Sequence, residues 1–92
     1  MIVRVKNGRV YEYENGVARR SYGSNIIAAA TNGEWVAAVS ANGRVTDYLR
    51  GVARRSYGNN AVGVQMSGET VAVTDRNGRI TEYVRGVARR SY

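Results

Sequence analysis

One heptapeptide, Gly-Val-Ala-Arg-Arg-Ser-Tyr, occurs three times without change, at 16–22, 51–57 and 86–92. The copies are 35 residues apart, and a period between about 20 and 50 residues is typical of proteins built from repeated structural units. Residues 23–57 and 58–92 align with each other without a gap, and residues 1–22 match the last part of the same unit. The sequence therefore predicts a single repeat domain, 1–92, with one partial unit followed by two full units.

Turn signals recur within each unit, and most of them place glycine after asparagine or arginine. They are Asn7-Gly8, Asn15-Gly16, Asn32-Gly33, Asn42-Gly43, Arg50-Gly51, Ser67-Gly68, Asn77-Gly78 and Arg85-Gly86. Two-residue loops with glycine in the second position suit type I′ β-hairpins. A full unit is therefore predicted to hold four short antiparallel strands, called A to D here, and the chain to read BCD-ABCD-ABCD. The predicted strands are A at 26–31 and 61–66, B at 2–6, 35–41 and 70–76, C at 9–14, 44–49 and 79–84, and D at 17–22, 52–57 and 87–92.

The composition of these strands changes in order across a unit. Strand A is small and apolar, strand B is apolar on both faces, strand C is mixed, and strand D carries the arginine pair. A β-propeller blade needs this gradient, because its inner strands crowd the axis while its outer strand meets water. The chain resembles β-propeller proteins of the WD40 or NHL kind over its whole length. The resemblance implies an all-β fold of four-stranded antiparallel blades, with a partial blade at 1–22 and full blades at 23–57 and 58–92.

Three blades are too few to close a ring, and the end blades would leave apolar faces and sheet edges in water. Association with further copies of the chain would cover them, a strategy that resembles the short propeller lectins whose chains supply a few blades each. Two chains would supply six blades and three would supply nine. Two explanations of the missing first strand stay open: the chain is part of a longer repeat array, or the ring tolerates a gap at the joint. We therefore predict a homo-oligomeric, self-assembling propeller fragment or scaffold. The near-identity of the repeats also fits a designed or reconstructed sequence.

The two arginines of each heptapeptide are predicted to face in opposite directions, because side chains alternate along a strand. A two-residue loop at Arg50-Gly51 would place Asp47 opposite Arg54 and Thr46 opposite Arg55. The same count places Glu12 opposite Arg19 and Glu82 opposite Arg89. The first arginines are therefore expected in exposed cross-strand ion pairs, which contribute about 0.2–1 kcal/mol each.

The second arginines are expected on the other face, together with tyrosines of strands C and D. These residues are Arg20, Arg55, Arg90, Tyr13, Tyr48, Tyr83, Tyr22, Tyr57 and Tyr92. A guanidinium can stack on a tyrosine ring while its stem covers apolar surface, which would suit packing between blades. The alternative for these arginines is a ladder on the outer rim that binds phosphate or sulfate groups.

Trp35 is the only tryptophan and stands beside the Asn32-Gly33 turn. An exposed aromatic ring near a propeller loop could stack on a sugar, as in the propeller lectins. Its counterpart in the next unit is Thr70, which is not aromatic, so the stacking residue does not repeat. Packing at an interface is therefore the preferred role of Trp35, and carbohydrate binding is the alternative function.

Charge and composition rank the remaining classes of function. The net charge is +7, from 14 basic and 7 acidic residues, and a basic chain raises nucleic acids or other anions as ligands. Without the six arginines of the heptapeptides the net charge would be only +1, so this function is placed last. The chain has no cysteine and no histidine, which excludes disulfides, cysteine or histidine metal sites and histidine catalysis. We predict no enzymatic activity and no cofactor.

No long apolar run and no basic start followed by an apolar stretch is found in the sequence. Membrane segments and signal peptides need such runs. The sequence therefore predicts a soluble protein that does not partner a membrane and is compatible with the cytoplasm, without assigning a location.

Overall fold

The computed structural model describes all residues, 1–92, and is built from β-strands alone. The eleven strands are β1 (Ile2–Lys6), β2 (Arg9–Glu14), β3 (Val17–Tyr22), β4 (Ile26–Thr31), β5 (Trp35–Ser40), β6 (Val45–Leu49), β7 (Val52–Tyr57), β8 (Ala61–Ser67), β9 (Thr70–Asp75), β10 (Ile80–Val84) and β11 (Val87–Ser91). The prediction of an all-β fold is confirmed, and each strand begins and ends within one residue of its predicted bounds. No helix that could cross a membrane is present.

The strands form three antiparallel sheets in chain order. Sheet 1 is β1-β2-β3, sheet 2 is β4-β5-β6-β7 and sheet 3 is β8-β9-β10-β11. The sheets pack against one another within an elongated molecule of 37 × 25 × 19 Å. We call the face of a sheet that points toward the preceding sheet its front face, and the face that points toward the following sheet its back face. Each joint is the contact between one back face and the next front face.

A small apolar core fills each of the two joints. The core of joint 1, between sheets 1 and 2, contains Val10, Tyr22, Ile26, Val36 and Ala38. The core of joint 2, between sheets 2 and 3, contains Ala37, Val39, Val45, Tyr57, Ala61, Val71 and Val73. Burial of a valine side chain contributes about 1.5–3 kcal/mol. Because β5 sends alternate residues into both cores, its sequence is apolar on both faces.

The hairpin turns divide into three kinds. Asn15-Gly16, Arg50-Gly51 and Arg85-Gly86 have positive φ at both residues, as do Asn7 and Gly8, so the type I′ prediction matches the backbone at these four turns.

The prediction of a two-residue loop is wrong at Asn42-Gly43 and at Asn77-Gly78, where three residues separate the paired strands. In sheet 2 the Ser40 amide donates to the Arg44 carbonyl, and the Asn42 side chain accepts from the Arg44 amide. The side chain therefore stabilises the longer loop from within.

The A–B turns also differ from the predicted pattern. At Asn32-Gly33 the Asn32 amide donates to the Trp35 carbonyl, so the two loop residues are Gly33 and Glu34. Glycine is the first loop residue there, and only Gly33 has positive φ. The corresponding loop in sheet 3 lies between Ser67 and Thr70, which are paired.

Candidate functional site at the joints between sheets

A β-bulge in every D strand decides where the heptapeptide arginines lie. In sheet 2, Tyr48 pairs with Ala53, but the next pair is Asp47 with Arg55, which leaves Arg54 as the extra residue. The same shift occurs in sheet 1, where Glu12 pairs with Arg20, and in sheet 3, where Glu82 pairs with Arg90. The predicted pairing of the first arginines with acidic residues is therefore wrong, because the bulge moves the register by one residue.

The first arginines consequently have no acidic partner. Arg19, Arg54 and Arg89 are all exposed, and none of them takes part in an ion pair. They lie on the strand at the outer edge of each sheet, where a charged side chain discourages edge-to-edge pairing.

The second arginine of each heptapeptide belongs to an acid–tyrosine–arginine cluster on the back face of its sheet. In sheet 2, Tyr57 donates a hydrogen bond of 2.7 Å to Asp47, and Arg55 Nε lies 3.6 Å from the same carboxylate. The corresponding clusters are Glu12, Tyr22 and Arg20 in sheet 1 and Glu82, Tyr92 and Arg90 in sheet 3. In each one the tyrosine follows the acid by ten residues.

Burial shifts the pKa of several ionisable groups in the first two clusters. Glu12 is 6% exposed and Asp47 is 4% exposed. Burial raises the pKa of Asp47 above its usual 3.8, while the hydrogen bond from Tyr57 and the charge of Arg55 act in the opposite direction. Burial also raises the pKa of Tyr57 and Tyr22 well above 10.0, and the acidic partner of each adds to the effect. The hydroxyl donor and the guanidinium satisfy most of the hydrogen-bonding capacity of the buried carboxylate. The cluster therefore holds the side chains of the back face in one arrangement.

Tyrosines from facing sheets stack across both joints. Tyr22 of sheet 1 meets Tyr48 of sheet 2, and Tyr57 of sheet 2 meets Tyr83 of sheet 3. In both pairs the ring centroids are 4.6 Å apart, with interplanar angles of 40° and 39°. The predicted placement of both kinds of tyrosine on one face is therefore wrong. Tyrosines of C strands lie on front faces and those of D strands lie on back faces, so they meet only between sheets.

The second arginines also reach across the joints. Close approach of Arg20 to the β6–β7 turn means that a Cβ built on Gly51 would lie 3.2 Å from its Cδ. Arg55 has the same relation to Gly86, at 3.1 Å. The glycine of each Arg-Gly turn thus supplies positive φ for the hairpin and also leaves room for the arginine of the preceding sheet.

Trp35 lies at joint 2, under the guanidinium of Arg55. Arg55 Cζ is 4.8 Å from the centroid of the tryptophan ring, a cation–π contact. Both residues line a cavity of about 160 Å³ between sheets 2 and 3. Asp47, Met66, Val71 and Arg85 also line it, and Arg85 pairs with Glu69 at 3.1 Å.

Two faces are covered by no other sheet: the front face of sheet 1 and the back face of sheet 3. Each carries residues that correspond to those of one side of a closed joint. Tyr13, the counterpart of Tyr48, lies on the front face of sheet 1, which no other sheet of the structure covers. Arg90 and Tyr92 lie on the back face of sheet 3, where Arg90 keeps its ion pair at 3.4 Å and the Tyr92 hydroxyl donates to Glu82 at 2.5 Å. Of the residues singled out in the sequence, Trp35, Arg20, Arg55, Tyr48 and Tyr83 therefore lie at closed joints, whereas Tyr13 and Arg90 lie at open ends.

The sequence analysis missed the bond between acid and tyrosine. The signal that could have found it is the constant spacing of ten residues between an acid and the tyrosine that ends each heptapeptide. The structure contains no group of three or more histidine, cysteine, aspartate or glutamate side chains that could hold a metal ion. The arrangement at the joints is suited to holding two sheets together.

Comparisons with known proteins add a family and a fold. A family model described as Helicobacter pylori IceA2 protein matches residues 1–57 and, a second time, residues 41–92. No curated protein matches the chain.

Among solved structures, the crystal structure of BamB from Moraxella catarrhalis, a β-propeller, is similar to the chain with a TM-score of 0.79 and 17% sequence identity. The similarity covers 98% of this chain and 31% of that one. The fold is therefore β-propeller-like, and the chain spans about a third of the length of the propeller it matches.

Proposed function

We propose that this chain, which belongs to the Helicobacter pylori IceA2 protein family, is a self-assembling β-propeller scaffold that completes a ring by association with further copies of itself. A propeller stabilises its sheets by packing each face against a neighbour. Within one chain only two joints are closed. Association would cover the remaining faces, where the tyrosine and arginine contacts of the closed joints would recur.

The observation that carries this proposal is the third acid–tyrosine–arginine cluster. Glu82, Tyr92 and Arg90 are already bonded as their counterparts are in sheets 1 and 2, but Tyr92 is 62% exposed whereas Tyr57 is 7% exposed. A further sheet packed on this cluster would bury it as sheet 3 buries the cluster of Tyr57. The small core supports the same conclusion, because only 15 of 92 residues are buried.

The mass of the native protein tests this proposal. A chain of 10.1 kDa should give about twice or three times that mass in native mass spectrometry and light scattering at micromolar concentration. A folded monomer at that concentration contradicts the proposal. The alternative that the sequence is designed or reconstructed stays a prediction.

A second candidate function, binding of a polyanion, is favoured by the first arginines. Arg19, Arg54 and Arg89 are exposed and unpaired, whereas three of the seven acidic residues are engaged by the second arginines. Replacement of all three by glutamine should reduce affinity for an oligonucleotide and flatten its salt dependence. Affinity that does not change with salt, or with this triple substitution, contradicts the second candidate.

Carbohydrate binding at Trp35 has less support than either, because Arg55 already lies against the tryptophan ring. It stays a prediction. Glycan binding that is lost on Trp35→Ala would support it.

A further inference from the structure

We infer that the partner of this chain is a second copy that docks head to tail, with the back face of sheet 3 of one copy on the front face of sheet 1 of the next. This inference rests on the proposed self-assembly and specifies the two surfaces that carry it. It excludes pairing through strand edges and contacts between two identical faces.

The front face of sheet 1 repeats the front face of sheet 2 at the positions that matter most for docking. Tyr13 pairs with Ile2 across strands, as Tyr48 pairs with Val36. Val36 is fully buried against sheet 1, whereas Ile2 is 71% exposed. An exposed isoleucine beside an unstacked tyrosine is therefore the uncovered equivalent of a buried core position.

A shallow depression marks this surface. It has a volume of about 620 Å³ and is lined by Ile2, Arg4, Tyr13 and Gly16, among others. Gly16 occupies the place of Gly51 and Gly86, against which Arg20 and Arg55 pack in the closed joints. A Cβ built on Gly16 meets nothing within 4 Å, so the space that receives an arginine at both closed joints is open here.

The back face of sheet 3 carries the matching half. Ile80 pairs with Thr74 as Val45 pairs with Val39, and the Glu82–Tyr92–Arg90 cluster stands beside it. Docking would place Tyr92 on Tyr13 and Arg90 against Gly16, which reproduces the two contacts of each closed joint. Such a contact joins two different surfaces, and it closes a ring when the rotation between copies permits.

Two features distinguish this joint from the closed ones. Sheet 1 has three strands, so nothing in this sequence takes the place that β4 and β8 hold in the closed joints. Arg4 stands where sheets 2 and 3 have Ala38 and Val73. The tyrosine stack and the arginine–glycine contact must therefore carry a larger share of the association.

The two surfaces can be blocked separately. Ile2→Glu places a charge on the front face, and Tyr92→Glu places one beside Glu82 on the back face, while neither residue is buried within the chain. Each variant alone should be monomeric. An equal mixture should form a dimer, because one intact front face and one intact back face are then present. Val52→Glu is the matched control, since Val52 is 56% exposed on β7, away from both faces.

The outcomes separate the two proposals. If the unmodified chain is a folded monomer, self-assembly itself is wrong. If the chain is oligomeric and both blocked variants keep its mass, assembly occurs through another surface and the head-to-tail joint is wrong. A mixture that stays monomeric also overturns the joint. Tyr92→Ala, which adds no charge, should show a milder loss of mass, and Trp35 fluorescence reports that each variant is folded.

Discussion

The second and third heptapeptides have identical sequences, yet their last residues stand in opposite environments. Tyr57 is 7% exposed, bonded to Asp47 and stacked on Tyr83, whereas Tyr92 is 62% exposed and is bonded only to Glu82. The difference is caused by the sheet that covers one and not the other. The heptapeptide therefore builds the same kind of cluster with Asp47 in one sheet and with Glu82 in the other, but tertiary packing determines how much the cluster contributes to stability.

Truncation of the two tyrosines should show the largest difference. Tyr57→Ala removes a stacked, buried ring and leaves the Asp47 carboxylate without its hydroxyl donor, which should cost about 3–5 kcal/mol of the free energy of unfolding. Tyr92→Ala should cost less than about 1 kcal/mol in dilute solution. Urea unfolding over a range of protein concentrations measures both. Only the effect of Tyr92→Ala should grow with concentration, and equal effects in dilute solution would contradict the comparison.

Substitution of the adjacent arginines of the middle heptapeptide should give the next largest difference. Arg55→Gln removes the ion pair to Asp47 and the contact with Trp35, at a cost of about 1–3 kcal/mol. Arg54→Gln, the matched control, should change stability by less than about 0.5 kcal/mol because Arg54 is the exposed bulge residue. Tryptophan fluorescence during urea unfolding should detect both the loss of stability and a change around Trp35. The bulged register is wrong if the two variants behave alike.

Ionisation of the tyrosine hydroxyls at alkaline pH should distinguish the cluster of sheet 2, which sheet 3 covers, from the exposed cluster of sheet 3. Burial raises the pKa of Tyr57 above 10.0, so its contribution to stability is complete below pH 10.0 and is lost as the pH rises through the raised value. The hydrogen bond to Glu82 raises the pKa of Tyr92 as well, but that ring lies in water.

Absorbance of tyrosinate can be followed in the Ile2→Glu variant, which we expect to be monomeric with Tyr92 uncovered. Addition of Tyr57→Phe should remove a rise in absorbance that coincides with unfolding. Addition of Tyr92→Phe should remove a rise in absorbance that occurs at a lower pH than unfolding. A Tyr57 step before unfolding would show that the closed joint does not protect the hydroxyl.

The smallest effect is expected at the turns of sheets 1 and 2. Arg50 has a φ of 53° and Asn15 has a φ of 52°, but asparagine tolerates this left-handed conformation better than arginine does. Arg50→Asn should therefore raise the free energy of unfolding by about 0.5–1 kcal/mol, and Asn15→Arg should lower it by a similar amount. Thermal melts of the two variants measure both changes in stability. A loss of stability in Arg50→Asn would show that the Arg50 side chain makes a stabilising contact.

Much of the fold can be predicted from the sequence because its signals are local and repeated. The period of 35 residues, the glycine turns and the gradient from Ile26–Thr31 to Val52–Tyr57 are sufficient for the strands, their order and their antiparallel pairing. The sequence also singles out the residues of the joints, since Trp35, Arg20 and Tyr48 all lie there.

The register of the D strands was decided by contacts between strands of one sheet, and the burial of each face was decided by packing between sheets. A bulge at Arg54 costs little locally, but it aligns Arg55 with Asp47 and turns both toward the following sheet, where burial and the Tyr57 hydroxyl stabilise them. A count of residues from the turn cannot foresee that extra residue. The same bulge forms in sheet 3, whose back face no further sheet covers, so the contacts of the acid with the tyrosine and the second arginine of its own sheet favour it. Because the bulge shifts the alternation of side chains by one residue, Tyr48 and Tyr57 lie on opposite faces and meet partners from different sheets. The repeated sequence by itself determined the strands and the positions of the turns, and packing between sheets determined which faces of the sheets were buried.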